Sequence, residues 1–213
     1  MTETDHLSTD PLAAFERERG RLFGIAYRML GSVAEAEDVL QDAWLRWQGV
    51  EHGMVENPAA YLVRLVTRLS IDTLGAARNR LTDYVGPWLP EPIVGRRVES
   101  LSEDPGDGDM DGMVALLAQD ATLYSDGGGK VKAAQKPIHG AESIARFLVG
   151  IRRQGIRTQV AFELRPAIVN GRTGFVTLVE GRPYNVFALD TEPGRIRGVY
   201  VVANPDKLGR IEI

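Results

Sequence analysis

Apolar positions in the first eighty residues recur at helical spacing, and three helices follow from where that spacing is interrupted. Asp10 precedes Pro11, a cap-type residue ahead of a first-turn proline, and Leu22, Ala26, Met29 and Leu30 carry an apolar stripe until Gly31 stops it. Ser32 opens the next helix, with Glu35 three residues on as its capping-box partner, and the pattern runs to Trp47 ahead of Gly49. On this helix Ala36, Leu40, Ala43, Trp44 and Trp47 fall on one face, while Glu35, Asp38 and Asp42 fall roughly opposite as an exposed acidic stripe. Gly49 to Asn57 is a loop. Asn57-Pro58 then predicts a third helix reaching about Arg80, with Leu62, Leu65, Val66, Leu69 and Thr73 inside and Tyr61, Arg64 and Arg68 sharing a second face. Gly75 costs about 1 kcal/mol relative to Ala in an exposed helix and predicts a bend or an early end.

The pattern changes after residue 85. From Gly86 to about 108 the chain is rich in Pro, Gly and acids (GPWLPEP, then VESLSEDPGDGD) and reads as a linker with no room for a helix-turn-helix. A helix is expected from Met113 to Ala118, a strand from Ala121 to Ser125 ending at Gly127-Gly128-Gly129, and a helix from Ala141 to Ile151. Strand-like runs follow at Thr158–Leu164, Thr173–Val179, Tyr184–Leu189 and Ile196–Val202, separated by turn signals such as Asn170-Gly171. Helices followed by an antiparallel meander make this half α+β. The expected organisation is therefore a helical domain over 1–85, a linker over 86–108 and an α+β domain over 109–213.

Composition removes several function classes. With 44% hydrophobic and 25% charged residues the chain can bury a core and is not disordered or fibrous. No cysteine and only three histidines (His6, His52, His139) leave no thiolate or conventional histidine metal site, and no cofactor is expected. No apolar run is long enough to span a bilayer, and the acidic start MTETDHLSTD lacks the order of a signal peptide, so a cytoplasmic protein without membrane partners is expected. The net charge of −4 argues against a generally cationic nucleic-acid binder. Its distribution says more. Glu35, Glu37, Asp38 and Asp42 occur without a base between them, whereas Arg64, Arg68, Arg78 and Arg80 are interrupted by Asp72 alone, which points to two different partners.

The segments AEAEDVLQDAWLRW and NPAAYLVRLVTRLSIDTL, in this order and spacing, resemble region 2 of bacterial sigma factors of the extracytoplasmic-function type. WLPEP (88–92), DGGGK (126–130) and NPDKL (204–208) are similar to signatures of the SigJ-like group, whose members carry a fused C-terminal domain of the SnoaL or NTF2-like type. The resemblance implies an all-α region 2 domain followed by an α+β NTF2-like cone, and a transcription initiation factor without catalytic residues. It implies docking of Glu37, Asp38, Gln41, Asp42 and Arg46 on the basic coiled coil of the β′ subunit of core RNA polymerase, an acidic stripe being what such a partner needs. It implies capture of the promoter minus-ten element by the 49–57 loop and by Asn57, Tyr61, Arg64 and Arg68, with Arg78 and Arg80 adding phosphate contacts. Arginines neutralise phosphates, and a tyrosine stacks on an unpaired base.

The chain departs from that pattern in one respect: region 4, the helix-turn-helix that reads the minus-thirty-five element, is missing between WLPEP and the C-terminal half. Trp88, Leu89 and Pro90, with Asn204, Pro205, Asp206 and Lys207, are the expected interdomain or regulatory contacts, because the resemblance ties NPDKL to the sigma part or the linker. A small-molecule ligand of the C-terminal domain is a further partner that a cone allows. Asp126, His139, Tyr184 and Asp190 are its candidate polar groups, although Asp126 reads first as a turn residue and His139 as a capping or loop residue. Two alternatives stand beside the sigma reading: a polymerase-binding regulator or remnant unable to select promoters, and a small-molecule-binding or enzymatic NTF2-like protein.

Overall fold

The computed structural model describes residues 10–81, 84–97, 110–157 and 162–211, leaving aside the side chains of 76–81, 96–97 and 154–157. The chain divides into two compact units, Met1–Thr82 and Asp83–Ile213.

The first unit is three helices around one core. Helix α1 spans Pro11–Leu30, α2 spans Val33–Gln48 and α3 spans Pro58–Leu81, with a short 3-10 turn at His52–Met54 in the loop between α2 and α3. The expected starts are formed as side-chain caps: Asp10 accepts from the Leu12 amide, Ser32 from that of Glu35 and Asn57 from that of Ala60. Gly75 neither ends nor interrupts α3; the helix continues because Leu62, Val66 and Leu69 anchor its buried side against the other two helices. Trp47 lies at the centre, 1% exposed. Its indole N–H donates to the Pro11 carbonyl at 2.8 Å, the His52 ring meets it edge-on at 4.4 Å and the Tyr61 ring lies 5.5 Å away. Trp44 is half-buried against Phe15, at 5.2 Å.

The second unit is a seven-stranded mixed sheet with two helices on one face. Its elements are β1 (Val94–Arg97), α4 (Met110–Leu116), β2 (Leu117–Asp126), β3 (Ile138–His139), α5 (Ala141–Arg157), β4 (Phe162–Val169), β5 (Arg172–Val179), β6 (Arg182–Glu192), β7 (Arg195–Val202) and the single turn α6 (Pro205–Leu208). The strand order is β1-β4-β5-β6-β7-β2-β3. Strands β4 to β7 form the expected antiparallel meander, and β2 then joins β7 in parallel. Alternation along the strands sorts two cores. Ala121, Leu123, Phe187, Val199 and Val201 face α5, which contributes Ile144 and Ala145, and α4, whose Met110, Met113 and Val114 pack against them. Val169, Val176, Leu178, Val186 and Val202 face the other way, against Leu89, Val94 and Leu208.

Two expectations are corrected, and a third falls partly outside the described residues. The stretch 86–108 is not a linker over its described part: residues 84–93 lie on the sheet as a strap, and β1 pairs with β4. Its prolines and glycines suppress helix, and that composition suits an extended strap as well as a free linker. The helix expected at Met113–Ala118 runs from Met110 to Leu116, and Ala118 belongs to β2, where Leu117, Ala118 and Ala121 are buried beneath the helices. The strand expected from Thr158 is described only from Phe162, and 158–161 lie outside the described residues. Among the described residues no helix is long and apolar enough to cross a membrane.

Trp47→Ala removes the central side chain of the first core together with its hydrogen bond, and the expected cost is about 3–5 kcal/mol. Urea unfolding followed by far-ultraviolet circular dichroism measures it; a loss below about 1 kcal/mol is inconsistent with a core indole.

Candidate functional site

Two arrangements bring together residues singled out by the sequence. The first is on the helical unit. Glu37, Asp38, Gln41, Asp42 and Arg46 are all exposed on α2, while Ala36, Val39, Leu40, Ala43 and Trp47 of the same helix are buried. Glu37 is held by Arg19 of α1 at 3.2 Å, an exposed pair worth little by itself. Leu45 stands seven residues after Asp38 on this face and is 58% exposed, a residue the sequence reading missed because one leucine among acids does not register as a stripe. An acidic surface with an apolar side chain at its centre has the composition of a protein-binding patch.

Arg64 and Arg68 are exposed on α3, and Arg64 reaches back to the Ala60 carbonyl at 3.3 Å. Arg68 and Asp72 form no ion pair among the described residues, so the Arg68 guanidinium is not neutralised by its own helix. Tyr61 does not stand fully clear with the arginines: it is half-buried against Trp47. Asn57 is spent as the cap of α3. The side chains of Arg78 and Arg80 lie outside the described residues.

The second arrangement joins the three short motifs of the second unit around one carboxylate. Asp126, the last residue of β2, is fully buried. One of its oxygens accepts from the Tyr84 hydroxyl at 2.5 Å and the Gly128 amide at 3.0 Å; the other accepts from the Leu89 amide at 2.9 Å and the Lys207 ammonium at 2.8 Å. Its backbone carbonyl accepts from the amides of Ala203 and Asn204. Asn204 also donates to the Tyr84 hydroxyl at 2.9 Å and caps α6 through Asp206 N. Lys207 donates to the Leu89 carbonyl and lies 4.3 Å from the Trp88 ring centre. Lys130 pairs with Asp206 at 2.6 Å.

The chain conformation here is demanding. Gly128 has φ +59°, and a Cβ at this position would collide with the Asn204 amide group; a Cβ on Gly127 would sit 2.6 Å from the Val131 carbonyl oxygen. The glycines of DGGGK are thus required by packing. Burial pushes the Lys207 ammonium below the usual lysine range, against the upward pull of the Asp126 carboxylate. Burial and the hydrogen bond to Asp126 push the Tyr84 hydroxyl well above the usual tyrosine value.

Of the expected regulatory residues, Leu89, Asn204 and Lys207 touch this network directly, Trp88 through its ring and Asp206 through Lys130. Asp126 makes the local turn bond expected of it, to Gly128, and three further bonds that its neighbours in sequence did not reveal. Tyr84 was missed altogether; the only available signal was a lone tyrosine next to Pro- and Gly-rich chain. The other polar candidates are not gathered with it. Asp190 is paired with Gly198 while Asp126 is paired with Val202, four residues or about 13 Å along β7. His139 bonds Thr122, and Tyr184 is exposed beside Phe162.

Residues 14–80 match the sigma-70 region 2 family. The ECF RNA polymerase sigma factor SigJ of Mycobacterium tuberculosis is 26% identical, the match covering 92% of each chain. That alignment runs over 291 positions against the 213 residues here, so the relative contains many tens of residues without a counterpart in this chain. A probable ECF sigma factor SigI of the same organism is 32% identical over 72 residues, 33% of this chain and 25% of that one. The crystal structure of M. tuberculosis SigJ superposes with a TM-score of 0.67 at 26% identity, covering 92% of this chain and 97% of that one.

Removing one partner of a buried ion pair leaves an uncompensated charge, so Lys207→Met should cost about 3–5 kcal/mol in urea unfolding, and adding Asp126→Asn should recover much of that loss. A single-variant loss below about 1 kcal/mol would show that the pair is solvated. Tyr84 adds a pH dependence. Above pH 10 the unfolded chain releases this proton while the folded chain holds it, so stability falls as pH rises from there, and Tyr84→Phe should flatten this slope.

Proposed function

We propose, from the sigma-70 region 2 match over residues 14–80 and the likeness to SigJ along most of the chain, that the protein is an extracytoplasmic-function sigma factor that acts in transcription initiation by docking the α2 acidic face on the basic coiled coil of the β′ subunit and presenting α3 to the promoter minus-ten element. The observation that carries the reading is the division of α2: Glu37, Asp38, Gln41, Asp42 and Arg46 are all exposed on a helix whose other side is the core. A basic partner gains steering and register from the acids, and Leu45 supplies the apolar contact at the centre. On α3, Arg64 and Arg68 neutralise phosphates, and the exposed part of the Tyr61 ring is available to an unpaired base. Asn57 contributes by fixing where α3 begins, and Arg78 and Arg80 extend the basic run in sequence. The protein works in the cytoplasm, beside its polymerase and template, and performs no chemistry of its own.

The second unit is an NTF2-like domain in this reading, supported by its antiparallel meander with helices on one face. It modulates the first by holding the strap that begins three residues after α3, through Trp88, Leu89 and Pro90 on one side and Asn204, Pro205, Asp206 and Lys207 on the other. A second reading, a polymerase-binding regulator that cannot select promoters, is favoured by one observation: only 28 residues separate α3 from α4, and β1 occupies four of them, which leaves no room for a region 4.

Binding of the purified chain to core RNA polymerase tests both readings. Asp38→Arg/Asp42→Arg should weaken binding by about a hundredfold or more, with the wild-type affinity falling as salt rises. Arg64→Ala/Arg68→Ala should leave polymerase binding intact and abolish transcripts from promoters selected from genomic DNA. Polymerase binding by the wild type without transcripts supports the regulator, and absence of binding by the folded wild type overturns both.

A further inference from the structure

The second unit contains a cavity of about 560 Å³ between the Val85–Gly86 turn of the strap and the loop of residues 127–135. That volume is in the range of small-molecule sites. Ser125 is among the residues that line it. This serine is 4% exposed and lies one position from Asp126 on β2, so that its side chain takes the sheet face opposite to the carboxylate, in a row otherwise made of Ala121, Leu123, Val199 and Val201. A hydroxyl breaks that apolar row, and it makes no hydrogen bond among the described residues. That oxygen is not sealed inside the protein: among the described residues the fully buried side-chain oxygen without a partner is Asn185 Oδ1, so Ser125 Oγ keeps access to the cavity. Because Ser125 lines the cavity, a molecule held there is the partner available to it.

The electrostatics give the sign of that molecule. Lys130 and Lys132 line the cavity and no carboxylate does. Lys130 is already paired with Asp206, whereas Lys132 is exposed and makes no ion pair among the described residues. Asp126 is on the other face of β2 and engaged by four donors. Val85, Val131 and Ala133 supply apolar wall. We propose that this cavity binds a small organic anion, with a carboxylate or phosphate monoester between the Lys132 ammonium and the Ser125 hydroxyl and an apolar body against Val85 and Val131. Both walls are segments tied to Asp126, so a bound anion stabilises the strap in its docked position. The site does not depend on the polymerase reading.

Titration of the full chain with phenyl phosphate and with benzoate, followed by backbone amide resonances and by calorimetry, tests the proposal; inorganic phosphate and benzyl alcohol are the controls that lack one half of the recognised chemistry. At least one of the two organic anions should bind saturably, with shifts centred on Ser125, the 127–132 loop and Val85, and at least about tenfold more tightly than either control. Lys132→Glu should weaken it about tenfold or more, and Ser125→Ala, which keeps the cavity and removes the hydroxyl, several-fold. Whichever anion binds more tightly identifies the headgroup. The proposal is overturned if neither organic anion saturates, if the shifts centre away from the cavity, if the controls bind as well, or if both variants bind like the wild type.

Discussion

A carboxylate with no access to water must be surrounded by donors, and Asp126 obtains them from three separate parts of the chain. Charging a buried group costs several kcal/mol unless hydrogen bonds and a counter-charge offset it, and here the offset comes from the Tyr84 hydroxyl, the Leu89 and Gly128 amides and the Lys207 ammonium. The strap, the glycine turn and the C-terminal turn are each too short to fold alone. Each reaches its place because the charge is satisfied only when all three are present. The apolar contacts follow the same arrangement: Leu89 and Leu208 are carried onto the sheet face beside Val169, Val186 and Val202 by residues bonded to the carboxylate.

This accounts for the wording of the three motifs. WLPEP supplies an indole for the Lys207 ammonium, a leucine for the core and a backbone amide for Asp126. In DGGGK the acid is the hub, Gly127 and Gly128 allow the backbone to turn beneath Val131 and Asn204, and the lysine ties the turn to Asp206. NPDKL caps its own single turn and delivers the counter-ion. Ligand chemistry is not needed to explain any of these residues. Ser125, Lys132 and the Val85 wall remain unexplained by the network, and the cavity lies where they meet.

The two units differed in how much their sequences disclosed, and the reason is contact range. In the helical unit each helix start is set by neighbours within a few residues, so Asp10, Ser32 and Asn57 are legible as caps from the sequence alone. Its exposed acidic face was equally legible, because a helix fixes which residues share a side. In the sheet the decisive contacts span long separations: Tyr84 to Asn204 and Leu89 to Lys207 are each more than a hundred residues apart. Local pattern gave the meander. It did not give the parallel return of β2 beside β7, nor that a proline-rich stretch would pack on the sheet, since extended chain has the same composition whether it is solvated or docked. Lys207 belongs to a short motif and Tyr84 to none, yet both bond the same carboxylate.

The helical unit solves a different problem, that of presenting opposite charges from one small core. Acids on α2 and arginines on α3 would neutralise one another if they faced each other, and the partner surfaces would be lost. Trp47 keeps them apart. By filling the centre and bonding Pro11 at the start of α1, it fixes the packing of all three helices, so that the acids of α2 and Arg64 and Arg68 of α3 are turned to solvent. Glu37 of α2 pairs with Arg19 of α1 and not with an arginine of α3. Separation of charge on a rigid frame keeps an acidic field on one helix and a basic field on the next from cancelling, because each is effective only within about one Debye length of its own surface.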